Sequence, residues 1–215
     1  IMPEAIKAIN HALGAKDGDL ILLQMGKPKL CHTVLSGLRL HLARKFGLIE
    51  QEGERIEKWN ILWVTDFPLF EYDAERGTHV ASHHPFTSPK LSDVSKLTSD
   101  PGSCYARAYD LVINGNEIGG GSIRIHSEEL QSAVFDALNI SPSEQQEKFG
   151  FLLEAMRYGP PHHGGIAFGL DRLCMLMSGS RSIRDVIAFP KSQKGTDLLT
   201  KAPSQIEQAQ LAELN

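Results

Sequence analysis

Apolar and polar positions along this chain follow two periods, helical in the first fifty residues and strand-like afterwards. In residues 3–13 (PEAIKAINHAL), Ala5, Ile6, Ile9 and Leu13 fall on one helical face. Pro3 stands at the start and Gly14 just past the end, where these residues punctuate a helix. Residues 19–25 (DLILLQM) form a short apolar run that predicts a buried strand. Pro28 then opens a second helical pattern, with Leu35, Leu38, Leu42 and Phe46 at i, i+3, i+7 and i+11. Residues 50–58 (EQEGERIEK) are charged and contain glycine, so a domain boundary is expected there.

Beyond that boundary, residues 59–66 and 79–83 are strand candidates. Residues 105–113 and 117–126 form the clearest strand pair, joined by Asn114-Gly115. That dipeptide is a strong hairpin signal, because both residues of the turn must tolerate positive φ. Residues 128–138 and 142–157 predict helices, the second with Pro142 near its start. Residues 164–168 predict a strand, and 171–177 a helix closed by Gly179. Hairpins mixed with helices predict an α+β fold, an antiparallel sheet flanked by helices.

Composition narrows this picture. The chain has 215 residues, 41% apolar and 22% charged, enough for a full core. Its net charge is −4, which argues against a wholly basic nucleic-acid-binding surface but not against a local phosphate-binding patch. The longest apolar run, residues 173–177, is far below the ~20 residues of a membrane-spanning helix. Cys31, Cys104 and Cys174 are odd in number and lack C-x-x-C pairing, so a reducing compartment such as the cytoplasm is expected. Between Leu20 and Ile49 there is no acid, while Lys27, Lys29, Arg39, Arg44 and Lys45 are basic. That face is either a solvated helix surface or one turned to phosphate.

The hairpin carries the candidate chemistry. A two-residue loop pairs Ile113 with Asn116, Val112 with Glu117 and Asp110 with Gly119. Asp110 and Glu117 then become diagonal neighbours on one face, ~7–8 Å apart at Cα. They are either two solvent-facing acids or a pair converging on a hard cation such as Mg²⁺ that carries substrate phosphates. Gly119, Gly120 and Gly121 follow directly, where a strand forfeits packing unless a bulge or a close backbone approach requires it. A bulge within the glycines would bring Glu117 and Arg124 to one face, where Arg124 can grip a carboxylate with two parallel bonds.

His83-His84 and His162-His163 hold four of the nine histidines. Neighbours on a strand point to opposite faces and cannot chelate one metal, so a zinc site is not expected. One imidazole facing an anionic substrate fits better, while His162 and His163 beside Pro160 and Pro161 are expected to be structural. In GGIAFGLDRL (164–173), Arg172 falls in a first helical turn, where an anion is welcome, and Asp171 is the expected N-cap. Neither G-x-x-x-x-G-K-[ST] nor G-x-G-x-x-G occurs, so any ATP is held without a P-loop or a dinucleotide fingerprint.

Together, DFPLFEY (66–72), HHPFT (83–87), EIGGGSIRIH (117–126), GGIAFGLDRL and SIRDVIAFPK (182–191) resemble the aspartyl-tRNA synthetases of bacterial and organellar type. GLDRL with its strand resembles motif 3 of the class II synthetases. The resemblance implies that residues 1–54 are the end of an inserted domain with its return helix, and 55–215 the C-terminal half of the catalytic core. It implies aspartate, ATP and the tRNA for Asp, or also that for Asn, as substrates, with Mg²⁺ and a homodimer. It assigns Asp110 and Glu117 to Mg²⁺ and ATP, Arg124 and Ser122 to the aspartate pocket, and His83 to the aspartate site with His84 beside it. Gly169, Leu170, Asp171 and Arg172 match the segment under ATP, and Glu117, Arg124 and Arg172 are the implied catalytic set.

No stretch resembles motif 1, motif 2 or an anticodon-binding barrel, so these are expected upstream of Ile1. The 215 residues alone are expected not to aminoacylate tRNA. The alternative is a non-catalytic paralogue that keeps the fold for binding or regulation. A cytoplasmic location is expected, with mitochondrion or plastid as the organellar counterpart.

Overall fold

The computed structural model describes residues 2–49 and 58–212. The chain divides into two compact units, Ile1–Glu52 and Gly53–Asn215. The expected boundary segment lies, except for Lys58, outside the described residues.

In the first unit the predicted helices form as α1 (Pro3–Leu13) and α2 (Pro28–Lys45). Each has proline in its first turn, where its missing N–H costs nothing. Gly14 ends α1 in the left-handed conformation (φ 62°), and the N–H of Ala15 closes back on the Asn10 carbonyl at 2.9 Å. The strand expected at 19–25 does not form. Leu20 is 82% exposed and Met25 94% exposed, and no strand of this unit lies alongside among the described residues. An apolar run becomes a strand only where another backbone satisfies its N–H and C=O groups.

The second unit is built on a four-stranded antiparallel sheet in the order β1-β4-β5-β6: β1 (Ile61–Thr65), β4 (Ala108–Ile113), β5 (Asn116–Ile123) and β6 (Gly164–Phe168). A separate hairpin pairs β2 (Phe70–Asp73) with β3 (Thr78–Ala81). No strand was expected at β2. Strand β4 is shorter than expected because residues 105–107 pair elsewhere: the Ala106 N–H donates to Phe67 O, the Arg107 N–H to Ser88 O, and Tyr105 O accepts from Lys90.

Helices α3 (Glu128–Ala137) and α4 (Pro142–Met156) follow the sheet strands β4 and β5. Ser127 caps α3, accepting from the Leu130 N–H at 3.3 Å. Ser141 and Glu144 cap α4 reciprocally, each side chain accepting from the other's backbone N–H. Val134 of α3 and Met156 of α4 bury against Leu69, Phe70, Leu97, Cys104, Ala106, Ala108 and Ile125, which form the main core. A smaller core places Leu173 and Leu176 of α5 (Leu170–Ser178) on Ile113 and Ile118 at the hairpin. The short α6 (Gln208–Ala212) lies near the end of the described chain. Among the described residues no helix is long and apolar enough to cross a membrane.

Candidate active site

The β4–β5 turn forms as its sequence dictates, with Asn114 at φ 47° and Gly115 at φ 78°. Pairing begins as expected, Ile113 with Asn116 and Val112 with Glu117. A bulge then intervenes, so that Leu111 faces Gly119 and Asp110 faces Gly120, not Gly119. The extra residue is Ile118, one position before the glycine run in which the bulge was expected. The reason is burial: Ile118 is 2% exposed, inserted beneath α5 between Ile113 and Leu176. The slip by one residue changes the parity of the strand. Glu117 shares a face with Val112 and therefore with Asp110, and beyond the bulge that face continues through Gly120, Ser122 and Arg124.

The glycines are required by what lies beside them. A Cβ on Gly121 would sit 1.8 Å from the Gly165 carbonyl oxygen of β6. A Cβ on Gly120 would sit 2.3 Å from Asp110 Oδ1. The first vacancy lets two backbones approach, and the second leaves room for a carboxylate.

One open pocket of about 580 Å³ collects His83, His84, Asp110, Glu117, Ser122, Arg124, Gly169, Asp171 and Arg172, within the usual size of a small-molecule site. Of the candidates, only Leu170 does not line it; its side chain is exposed. Ala167, Phe168 and Ile183 line it without having been singled out, although Ile183 belongs to the quoted SIRDVIAFPK. Nothing in the spacing of these apolar side chains separates a pocket wall from a core position.

At one end of the pocket, Asp110 and Glu117 converge. Burial, and then the Glu117 charge, push the Asp110 carboxyl above the ordinary aspartate range, with His83 opposing. Two carboxylates that repel each other in one pocket fit a divalent cation. Among the described residues no group of three acidic, histidine or cysteine side chains could enclose a metal. A cation here would keep positions for water and phosphate oxygens, as Mg²⁺ does.

The strand–helix junction forms the neighbouring wall. Asp171 is not the N-cap: α5 starts at Leu170 with Gly169 as cap and no side-chain bond, and Asp171 lies in the first turn facing the pocket. The Gly169 N–H donates to Ile118 O at 2.7 Å, and Arg172 Nη1 donates to the Glu117 carbonyl. The junction is thus fastened across the bulge, which keeps a cation beside the acids.

Strand β3 stops at Ala81, so His83 and His84 lie in the irregular segment after it and not on a strand. Both line the pocket, contrary to the expected opposite orientations. His83 stands edge-on to Phe67, ring centroids 5.0 Å apart. His84 is the one that reaches Arg124, its Nε2 against Arg124 Nη1, with Ser122 Oγ at 3.5 Å. A neutral imidazole cannot accept on both nitrogens. Donors face both nitrogens, the Phe86 N–H at 3.2 Å from Nδ1 and Arg124 Nη1 against Nε2; taking the backbone contact as the accepted bond puts the ring proton on Nε2. Burial first, then Arg124 and His83, hold the His84 pKa below the usual histidine value, so the ring is neutral near pH 7. An N–H and a guanidinium therefore meet beside two neutral hydroxyls, those of Ser122 and Thr87, each 3.5 Å from His84 Nε2. A carboxylate placed there would satisfy both donors.

His163 serves the backbone: its carbonyl accepts from the Arg124 N–H at 3.0 Å, and its Nδ1 lies 2.8 Å from Pro161 O. His162 packs on His126 with ring centroids 3.9 Å apart.

Comparison with known proteins gives a consistent picture. The family model described as "tRNA synthetases class II (D, K and N)" matches residues 19–193. The chain is 54% identical over 214 residues to the aspartate–tRNA(Asp/Asn) ligase of Anaeromyxobacter sp. (strain K), covering 100% of this chain and 35% of that protein. It is 55% identical over 211 residues to the ligase of the same name from Geotalea uraniireducens (strain Rf4), covering 98% of this chain and 35% of the relative. The chain thus spans about a third of the length of the curated relatives it matches. Among solved structures, it is similar to an aspartyl tRNA synthetase from Entamoeba histolytica at 25% identity and TM-score 0.47, over 89% of this chain and 31% of that one.

Proposed function

The chain belongs to the class II tRNA synthetases of the D, K and N group, and on that premise we propose that it carries the amino-acid and ATP end of an aspartate–tRNA ligase site. The complete protein activates L-aspartate with ATP and transfers it to tRNA; both tRNA(Asp) and tRNA(Asn), named for the relatives, are its acceptor candidates. A homodimer in the cytoplasm is its expected form.

In the first step an α-carboxylate oxygen of aspartate forms a bond to the α-phosphorus of ATP, and the bond to pyrophosphate breaks. In the second, a ribose hydroxyl of tRNA attacks the aspartyl carbonyl and AMP leaves. Both partners of the first step are anions, so the site must neutralise charge before they can meet. Arg124, with the Nε2–H of His84 and the Ser122 hydroxyl, grips the aspartate side-chain carboxylate and orients the amino acid. Selection against asparagine follows, because a neutral amide cannot replace an anion between two donors. Arg172 sits on the phosphate side, in the first turn of α5, where the helix dipole also favours anions. Asp110 and Glu117 would hold Mg²⁺, which neutralises phosphate charge when bound.

The observation that carries this reading is the gathering, in one pocket, of a two-donor carboxylate trap and a repelling acid pair beside an arginine. Its test is aspartate-dependent ATP–pyrophosphate exchange in the complete protein. Arg124→Ala is expected to raise the aspartate KM about 10- to 150-fold and to leave that for ATP within about twofold, because a charge-assisted bidentate contact contributes ~1.5–3 kcal/mol. Equal losses for both substrates would refute the assignment of Arg124. Absence of exchange in the parent protein would favour a non-catalytic paralogue.

A further inference from the structure

Gln131 of α3 is completely buried, yet it is a polar residue in an apolar neighbourhood that includes Val134 and Phe135. Its Nε2 donates to the Pro85 carbonyl at 2.8 Å, 46 residues earlier in the chain. Its Oε1 is buried with no hydrogen-bond partner. A side chain held at that cost of desolvation has a specific task, since a leucine or methionine would fill the same space more favourably.

The task is visible in the peptide unit that Gln131 grips. The carbonyl of Pro85 and the N–H of Phe86 belong to one planar trans amide and point in opposite directions. Gln131 holds the carbonyl end. The N–H end donates to His84 Nδ1. Rotation of that plane would withdraw the backbone donor from Nδ1, leave the more distant Thr87 hydroxyl at 3.5 Å facing that nitrogen, and loosen the hold on the tautomer. The downstream part of the turn is already tied to the end of β5 and the residues just after it, through Ser88 N–H to Ile123 O at 2.9 Å and Ile125 N–H to Phe86 O at 2.9 Å. The Phe86 ring packs against Phe149 at 5.2 Å. The Pro85–Phe86 plane is therefore the remaining freedom between a fixed strand and the imidazole.

We propose that Gln131 is a positioning residue for amino-acid recognition: by holding the Pro85 carbonyl it aims the Phe86 N–H at His84 Nδ1 and so keeps the proton of His84 on Nε2, facing Arg124 and Ser122. This rests on the reading of that pocket as the aspartate site. Neither a contact with substrate nor a change in the chemical step is involved; Gln131 acts through one peptide plane on one ring.

The test is Gln131→Met in the complete protein, which keeps the side-chain volume and removes the donor. The aspartate KM is expected to rise about 5- to 10-fold, the effect of one hydrogen bond, with kcat and the ATP KM within about twofold. In a His84→Ala background the same exchange is expected to add nothing, because the ring through which Gln131 acts is gone. A crystal structure of Gln131→Met is expected to show the Pro85–Phe86 plane rotated away from His84. An unrotated plane, an unchanged aspartate KM, or an equal increment with and without His84 each overturns the proposal. If the parent activates no aspartate, the functional reading fails, and the rotation in the crystal alone decides the role of Gln131. Should Gln131→Met not fold, Gln131→Asn stays polar but is too short to reach Pro85, and it is read by the same three measurements.

Discussion

Adding one methyl group to β5 at two adjacent positions should separate its packing role from its chemical role. Gly121→Ala would place a Cβ 1.8 Å from the Gly165 carbonyl oxygen and 2.9 Å from Ile166 Cα, both backbone atoms of β6. Ordinary contact needs more than 1 Å beyond that, a large fraction of the ~4.8 Å between hydrogen-bonded strands. The β5–β6 ladder, five residue pairs from Gly119↔Phe168 to Ile123↔Gly164, would have to open. Overpacking costs ~1–3 kcal/mol and each lost ladder bond ~1 kcal/mol, so a loss of about 3 kcal/mol or more is expected. Gly120→Ala meets instead the mobile end of a side chain, Asp110 Oδ1 at 2.3 Å, with the nearest backbone atom, Tyr109 O, at 3.6 Å. Turning one carboxylate off its preferred rotamer costs ~0.5–1.5 kcal/mol. Urea denaturation followed by far-UV circular dichroism measures both variants against the parent. Equal destabilisation, or a Gly121→Ala variant within about 1 kcal/mol of the parent, would refute the claim that β6 backbone excludes a side chain at 121.

Three further outcomes follow from the site and the helices. The carboxyl of Asp110, followed by ¹³C NMR, should titrate above the ordinary aspartate range and move only partway back in Glu117→Gln, because burial is the larger cause and remains; an unmoved titration would show that the acids do not interact. Since its folded pKa is raised, the stability linked to Asp110 is fully present below the unfolded value and is lost as pH rises through the folded one, so Glu117→Gln should stabilise the protein more at pH 7 than at pH 3. Ser141→Ala removes half of the reciprocal cap on α4 and should cost ~1 kcal/mol by the same denaturation assay, and a change below about 0.3 kcal/mol would count against the cap.

Local rules were sufficient wherever a backbone preference acts within a few residues. The Asn114-Gly115 turn, proline at the start of α1, α2 and α4, and glycine after α1 and α5 form where the sequence predicted them. The resemblance carried by HHPFT, GGGSIRIH and GLDRL also gathered nearly all of its residues into one pocket. The failures have a different origin. DLILLQM has strand composition but no pairing strand among the described residues of its unit, and His83 and His84 share a pocket because β3 ends before them.

By itself, then, the sequence determined the types of element, the hairpin turn and the family, because propensity, turn chemistry and motif identity are properties of short stretches of chain. Only the tertiary structure decided which residue bulges, and hence which face carries each side chain. That choice fell to Ile118 because the hydrophobic space beneath α5 could take its side chain. One residue of slip, set by packing from a helix some fifty residues away, puts Glu117 and Arg124 in the same site. The proton on His84 is set in the same way, by an amide in α3 that touches neither the ring nor the pocket.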